Sequence, residues 1–332
     1  MSAAFPTPEP AHDPAAPPAP VHVIGASGRS GAALCRTLLE RGIPVVAVVR
    51  SPERWAATGL HAPPPATEPG PPSVGAQAPR ASAALRVADL GDPMALAAAL
   101  ADAASIVSMA HARHAAAVLH AGPAGARHVF LGSTRTHTRW PDAHGLGVRA
   151  GEAAFLRSGH SGVMLHPTMI YGAQGEDNVQ RLAALLRRLP APGGRPLVPL
   201  PGGGRALVQP IHQSDVTACV LAALARAWDG PHALTIAGPQ AVSYAGFVVA
   251  VARAAGLGSP RVVAVPAAPL IAATLLTRLP FLPRVRAAEL RRLLEDKAFD
   301  IAPMHAVLGV APIPLAQGLA ATFALPAGLT PT

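Results

Sequence analysis

The sequence contains few cysteines, aromatic residues and long apolar runs. Its 332 residues include two cysteines, Cys35 and Cys219, whose spacing is not that of a metal site. A disulfide scaffold and a cysteine-ligated zinc site are therefore excluded, and both thiols are expected to be reduced. Because aromatic residues make up only 4% of the chain, the core must be largely aliphatic. The most apolar later segment, residues 267–276, is far shorter than the about 20 residues of a membrane-spanning helix, so no transmembrane span is expected.

Lysine is almost absent, although the net charge is +9. The 27 basic side chains include a single lysine, Lys297, and the arginines are spread along the chain. No basic block of the kind found in nucleic-acid-binding tails is present, so no nucleic-acid partner is expected. The N-terminus lacks the basic region and apolar core of a signal peptide. Residues 1–20 are instead proline-rich, which predicts a disordered tail. Without a signal peptide, the protein is expected to be cytoplasmic.

The stretch at residues 21–50 organises the rest of the chain. A first apolar run ends at Gly25, an amphipathic helix is predicted from about Ser30 to Arg41, and a second apolar run covers residues 44–49. This order of strand, glycine-rich turn, helix and strand is typical of a βαβ unit that binds a dinucleotide.

The turn reads GASGRSG, and each glycine has a predicted task. Gly25 permits a sharp turn off the strand, Gly28 permits close approach of a pyrophosphate, and Gly31 permits close packing of helix on sheet. The phosphates would lie at a helix N-terminus, where amides and the helix dipole favour an anion. A turn that serves packing alone is the alternative. The predicted cofactor-binding residues of the turn are Gly25, Ser27, Gly28, Arg29, Ser30 and Gly31.

Arg50 follows the second predicted strand, where an NAD-specific site carries Asp or Glu. No acidic residue lies between Glu40 and Glu53. A guanidinium pairs with a 2′-phosphate, whereas a carboxylate accepts from a ribose 2′-hydroxyl. The sequence therefore predicts NADP in preference to NAD, with Arg50 and Arg29 as phosphate partners. A solvated arginine at a strand end is the alternative for Arg50.

The spacing and flanks of this turn resemble those of the short-chain dehydrogenase/reductase superfamily, particularly its extended and atypical members. Short apolar runs alternate with helical segments along the remaining chain, which predicts an α/β fold with a Rossmann-type doubly wound parallel sheet. The predicted domains are a tail at 1–20, a cofactor domain at 21–240 and a C-terminal substrate lobe at 241–325. The cofactor domain includes a flexible insertion at 61–82 and a lobe segment at about 173–205.

The bounds of the predicted elements follow from the same alternation. After the βαβ unit, strands are predicted at 85–88, 104–109, 127–131, 161–165, 197–200, 207–211, 232–237 and 262–265. Helices are predicted at 93–101, 178–188, 214–226, 243–255, 268–278 and 285–297.

Further cofactor contacts are expected after the third and fourth strands. Open parallel sheets hold ligands at their carboxyl edge, which predicts Ser108, Met109 and Ala110 as cofactor-binding. The pair Asp89-Leu90 resembles the superfamily's adenine contact. Asp89 is equally suited to capping the helix at 93–101, and one residue can do both.

Several later segments resemble extended members of the nucleotide-sugar epimerase/dehydratase type. Gly132-Ser133-Thr134 occupies the place of the serine-bearing strand end, and the segment at 166–172 is similar to the Arg-Pro-x-x-x-Tyr-Gly loop beside the nicotinamide, with His166 replacing arginine. The resemblance implies cofactor contacts for Pro167 and Ile170. Segments resembling Val-His-Val-x-Asp-Val, Leu-Gly-x-x-Pro and Gly-Leu lie at 209–216, 308–312 and 317–319.

The chain departs from this family at the catalytic pair. No Tyr-x-x-x-Lys occurs anywhere, and His144 and Val148 stand in the places of tyrosine and lysine if Glu152 matches the family's later acid. Histidine can donate a proton near neutral pH, but Val148 gives it no electrostatic help and Arg149 is too basic to shuttle protons. His144 is a candidate acid, or else an N-terminal helix residue near the cofactor.

Other polar side chains are candidates for the same site. Ser133 and Thr134 can donate to a substrate carbonyl or cap a strand end, and Tyr171 is a candidate with a packing role as the alternative. His137 and Arg139 follow in a predicted active-site loop. His111 and His114 lie three residues apart, but no third ligand is evident, so no metal site is predicted.

Three functions are compatible with these patterns. The first is an NADP-dependent reductase, epimerase or dehydratase acting on a small carbonyl or nucleotide-linked compound with non-standard acid-base residues. The second is a catalytically silent NADP-binding sensor or structural subunit, whose apolar, arginine-flanked segment at 268–292 contacts a partner protein or a membrane surface. The third is an anion-binding module without a dinucleotide.

Overall fold

The computed structural model describes residues 19–60, 81–172, 178–273 and 287–324. The predicted tail and the predicted insertion therefore fall almost entirely outside the described residues, as does the middle of the segment at 268–292. Among the residues that are described, no helix is long and apolar enough to cross a bilayer.

The described chain forms thirteen strands. They are β1 (Val21–Ile24), β2 (Val45–Val49), β3 (Ala83–Val87), β4 (Ser105–Ser108), β5 (Arg127–Leu131), β6 (Gly162–Pro167), β7 (Ile170–Tyr171), β8 (Leu197–Pro201), β9 (Leu207–Val208), β10 (Ile211–His212), β11 (Pro231–Ile236), β12 (Val242–Ser243) and β13 (Arg261–Val265).

Within the described residues, twelve α-helices connect or cover these strands. They are α1 (Arg29–Glu40), α2 (Pro52–Ala56), α3 (Pro93–Leu100), α4 (Ala115–Ala121), α5 (Ala143–Ser158), α6 (Asn178–Arg188), α7 (Gln213–Ala225), α8 (Tyr244–Ala254), α9 (Ala267–Ala273), α10 (Ala287–Leu293), α11 (Ala302–Leu308) and α12 (Leu315–Phe323).

Seven strands form one parallel sheet in the order β11-β6-β5-β4-β1-β2-β3. The helices α1, α7 and α11 bury apolar residues against one face, and α3, α4 and α5 bury theirs against the other. The central strands β1 and β2 are buried at every position, without alternation, because helices cover both of their faces. The predicted Rossmann-type doubly wound sheet is confirmed, and its order reverses between β1 and β4.

A smaller apolar cluster lies outside the two that cover the sheet. Helices α6, α8 and α12 share an apolar cluster with Tyr171, while β7 pairs β10, β8 pairs β13 and β9 pairs β12. The predicted division at residue 240 stays a prediction.

Two local predictions were wrong. The strand predicted at 207–211 is split into β9 and β10, since Pro210 has no amide to donate and the buried Gln209 side chain bonds Gly238 O and Phe299 N instead. The cap of α3 is Asp92, whose Oδ1 accepts from the amides of Met94 and Ala95. Asp89 lies one turn too early to reach those amides.

Candidate active site

The carboxyl ends of the central strands bring the predicted site residues to one edge of the sheet. Ile24, the last residue of β1, is in register with Ser108 of β4, so the glycine turn and the segment after β4 lie side by side. A Cβ on Gly25 would approach the amide nitrogen of Ala110 to 3.3 Å. This contact marks the reversal of strand order, where open α/β sheets bind their ligands.

The glycine turn has the backbone geometry that its sequence predicts. Gly25 has φ 76°, a conformation that side chains disfavour, and it turns the chain sharply off β1. A Cβ on Gly31 would lie 2.2 Å from Gly25 O, so only glycine allows α1 to pack this closely on the strand. The predicted tasks of Gly25 and Gly31 are confirmed. Gly28 is the N-cap of α1 and brings no side chain to the helix N-terminus.

The polar residues of this turn face two directions. The Ser30 hydroxyl donates to Gln213 Oε1 at 2.6 Å and so ties α1 to α7. Ser27, Gly28 and Arg29 line one end of a groove of about 620 Å³ that runs along α1 between α2 and α7. Among the described residues that line it, Arg29, Arg36, Arg41, Arg54 and His212 are basic and none is acidic.

The residues predicted to hold the adenosine half follow β2 and β3. Arg50 is exposed immediately after β2, and Ala88 N bonds Val49 O, which places Asp89 beside it. Asp89 Oδ1 accepts from Gly91 N at 2.8 Å, and Leu90 packs against the buried cluster on the α3 side. Both Arg50 and Asp89 therefore lie at the carboxyl edge of the sheet.

Helix α5 presents the residues that stand in place of the family's catalytic pair. His144 is exposed in its first turn, which Asp142 caps by accepting from Gly145 N at 2.8 Å. Val148, one turn later, is 1% exposed and packs in the core. The lysine position is thus filled by an apolar side chain that faces away from solvent.

His144 is paired with His111, the third residue after β4. The distance between His144 Nδ1 and His111 Nε2 is 3.0 Å, and the two rings meet edge to face. Partial burial, together with the neighbouring His144 and Arg113, lowers the pKa of His111 to about 4. Partial burial and the Arg135 guanidinium also lower the pKa of His144. Both rings are therefore neutral near pH 7.

A second polar cluster joins α5 to the ends of β5 and β6. Glu152 accepts from the Thr136 hydroxyl at 2.8 Å and lies 3.5 Å from the Nε2 of buried His166. On its other side, the His166 Nδ1 accepts from Ser133 N at 3.1 Å. The neighbouring His166 and the Thr136 hydroxyl lower the pKa of Glu152, so the carboxylate is ionised at neutral pH. This cluster fixes the backbone of Ser133 beside the strand end.

The side chains of Ser133 and Thr134, which follow β5, both form local hydrogen bonds. Ser133 Oγ accepts from Arg135 N at 3.2 Å, and the Thr134 hydroxyl donates to Pro167 O at 3.3 Å. Ser133 is the N-cap of a short 3₁₀ turn at Thr134–His137. The capping alternative is thereby observed, and a catalytic role for either hydroxyl stays a prediction.

Tyr171 is buried in the apolar cluster that it shares with α6, α8 and α12. It is 1% exposed, and a Cβ on Gly318 would lie 2.2 Å from its hydroxyl oxygen. Burial, with the nearby Asp215 carboxylate, raises the pKa of its phenol above the usual range. The packing alternative is therefore observed. Pro167 is the last residue of β6 and Ile170 is the first residue of β7, so both lie in the predicted loop.

The loop after β5 is held by α5 and by the segment after α10. Arg149 donates to the carbonyls of Thr136 and Thr138 at 2.7 Å each. Glu295 accepts from the Thr138 hydroxyl and from Arg139 N, at 2.6 and 2.8 Å. Burial and the neighbouring His166 lower the pKa of His137 in this loop.

Sequence reasoning missed three of these arrangements. It weighed His111 with His114 rather than with His144, and it assigned no contact between Glu152 and His166. It also did not find that Glu295 holds the loop, because 156 residues separate Glu295 from Arg139. Within the described ranges, no group of three His, Cys, Asp or Glu residues is placed to hold a metal ion.

Comparison with solved structures gives the fold a context. A UDP-glucose 4-epimerase of Thermotoga maritima, solved with UDP-glucose, superposes with a TM-score of 0.62 at 13% identity, covering 91% of this chain and 97% of that one. A quinone oxidoreductase of Escherichia coli, solved with NADPH, superposes with a TM-score of 0.63 at 17% identity, covering 92% and 100%.

A dTDP-glucose 4,6-dehydratase double mutant of Streptomyces venezuelae, solved with NAD, gives a TM-score of 0.64 at 16% identity over 92% of this chain and 95% of that one. The chain has a Rossmann-type α/β fold like that of these solved proteins. No family model and no curated protein sequence matches it. At these identities the similarity shows the fold alone. Which reaction a protein of this fold catalyses depends on its site residues.

Proposed function

We propose that the protein is an NADP-binding member of the extended short-chain dehydrogenase/reductase type. The observation that carries this proposal is the glycine turn, in which Gly25 and Gly31 have the geometry of a dinucleotide turn beside the segment after β4. The N-terminus of α1 follows directly and offers amides to a diphosphate. Arg50, exposed after β2, supplies the charge for a 2′-phosphate.

The proposed activity is reduction, epimerisation or dehydration of a small carbonyl or nucleotide-linked compound. When bound, the nicotinamide would supply or take up hydride, and this chain's side chains would bind and orient the substrate. Ser133, Thr134 and His144 lie on elements that meet at the carboxyl edge of the sheet, whereas Tyr171 packs in the smaller cluster. We therefore assign the oxygen-contacting role to His144 and the Ser133 hydroxyl, because the Thr134 hydroxyl donates its hydrogen to Pro167 O.

Cofactor binding is tested by thermal unfolding of the full chain with NADPH, NADH or neither. A ligand that binds only the folded state stabilises it by about 2.7 kcal/mol at 100 times its Kd. We expect a larger rise of Tm with NADPH than with NADH. No rise with either nucleotide at millimolar concentration would contradict the proposal.

Catalysis is tested separately, by following NADPH oxidation with a panel of quinones, ketones and nucleotide-linked keto sugars. If His144 contacts the substrate oxygen, His144→Ala should lower kcat about 100-fold while the Tm shift with NADPH is retained. Turnover that is unaffected by this substitution would remove His144 from the reaction.

A second candidate function is an NADP-binding protein without turnover. The buried Val148 favours it, because no cation stands beside the His144 ring at the lysine position. It predicts that NADPH raises Tm while no substrate of the panel is converted. In that case the segment at 268–292 is proposed as a contact surface for a partner.

A further inference from the structure

We propose that His111 is a positioning residue that holds the neutral His144 ring in a single tautomer, so that His144 Nε2–H is a fixed hydrogen-bond donor to a substrate oxygen. This inference rests on the proposed function for the identity of the acceptor. The tautomer itself is a property of the protein alone and can be measured without any ligand.

The hydrogen bonds around His111 determine which nitrogen carries each hydrogen. The backbone N–H of Arg113 donates to His111 Nδ1 at 3.1 Å, so that nitrogen is the acceptor of its ring. In a neutral imidazole the other nitrogen then carries the hydrogen. His111 Nε2 therefore donates to His144 Nδ1 at 3.0 Å, and His144 carries its own hydrogen on Nε2.

Two glycines on α5 leave room for the segment after β4 to lie against the helix, which the hydrogen bond between His111 and His144 requires. A Cβ on Gly147 would lie 2.9 Å from His111 Cε1, and one on Gly151 would lie 1.9 Å from Ala112 O. The segment can rest on the helix backbone only because both positions lack a side chain. The His111 ring is thereby placed over the first turn of α5, where His144 is exposed to an incoming ligand.

Partial burial and the surrounding guanidinium groups keep the pair neutral. His111 is partly buried beside His114 and faces Arg113 and Arg135, whose positive charges disfavour its protonation. His144 is faced by Arg113, Arg135 and Arg292, against the single carboxylate of Asp142. A neutral ring donates a hydrogen bond without releasing its proton, so the role is that of an electrophile that polarises an oxygen.

One substitution separates this role from a structural one. His111 also caps the 3₁₀ turn at Ala112–His114 through the Arg113 amide. In His111→Asn the shorter side chain still accepts from that amide, because asparagine is a preferred cap, but it does not reach His144. His111→Ala loses both contacts. His120→Asn, an exposed histidine of α4, is the matched control.

The experiment is two-bond ¹H–¹⁵N correlation of histidine rings in the full ¹⁵N-labelled chain at pH 7.5, with His144→Gln used for assignment. We expect wild-type His144 to be the Nε2–H form, and His111→Asn to shift its ring nitrogens toward a mixture of tautomers with Tm unchanged. His120→Asn should leave these signals in place.

Two results would overturn the inference: a hydrogen on His144 Nδ1 in the wild type, or the same single tautomer in His111→Asn. Neither depends on cofactor or turnover. Absence of NADPH binding would instead contradict the proposed function and leave the measured tautomer intact, so the two failures are distinguishable.

Discussion

Arg50 and Asp89 lie next to each other after β2 and β3, at the edge where an adenosine would be held. Their predicted roles differ, because the Arg50 guanidinium is expected to pair with a 2′-phosphate, whereas Asp89 resembles the superfamily's adenine contact. One oxygen of Asp89 already accepts from Gly91 N. Arg50 is exposed, so its side chain can change conformation without disturbing the core.

Arg50→Asp should reverse the cofactor preference. We expect the Kd of NADPH to rise at least about 10-fold, which is about 1.4 kcal/mol, because a charge-assisted pair with the 2′-phosphate is replaced by repulsion. The Kd of NADH should stay the same or fall. Fluorescence titration of both nucleotides measures this, with Arg157→Asp in the last turn of α5 as the control. Equal weakening of NADPH and NADH would contradict the assignment.

At the scale of elements, close contacts between helices and strands depend on glycine. Helix α1 rests on the turn at Gly31, and α5 rests on the segment after β4 at Gly147 and Gly151. The same helix faces also carry the polar ties, such as Ser30 to Gln213 between α1 and α7. Packing and site geometry are therefore coupled, because moving either helix moves the residues at the sheet edge.

Gly31→Ala should destabilise the fold. A methyl group 2.2 Å from Gly25 O forces α1 away from β1, which we expect to lower the free energy of unfolding by about 1–3 kcal/mol and to weaken NADPH binding. Urea unfolding measures the first effect and the Tm shift with NADPH the second. Gly125→Ala is the matched control, since its Cβ would meet no atom within 4 Å. Equal stability of the two variants would contradict the packing role.

At the scale of the whole molecule, histidines inside the central sheet make stability depend on pH. His128 of β5 is fully buried beside His160 and stacks on Phe130. Burial, with the neighbouring His160, lowers the pKa of His128 to about 4. The unfolded chain, in which histidine has its ordinary pKa near 6.5, therefore binds more protons than the folded chain between these two values.

Stability should accordingly fall as the pH is lowered from about 6.5 to about 4, by up to about 3 kcal/mol from His128 alone. Above this window the contribution is fully present. Urea unfolding at a series of pH values measures the slope. His128→Leu should flatten the profile, whereas the exposed His120→Gln should leave it unchanged. A profile in His128→Leu as steep as in the wild type would contradict the assignment.

The sequence by itself determined the βαβ unit, the parallel sheet and the tasks of Gly25 and Gly31. These features depend on local patterns, namely strand-length apolar runs, helical periodicity, and glycines at positions where the turn or the close packing requires a residue without a side chain. It also placed Asn178–Arg188 and Arg127–Leu131 with their observed bounds. Residues after strand ends could be assigned to one edge because parallel strands share a direction.

Only the tertiary structure decided which side chains meet there. His111 and His144 are 33 residues apart, and their contact depends on how the segment after β4 rests on α5. The Glu152–His166 contact and the hold of Glu295 on Arg139 also join distant segments. Spacing in a sequence carries no information on such contacts, because they are set by the packing of whole elements rather than by any local backbone preference.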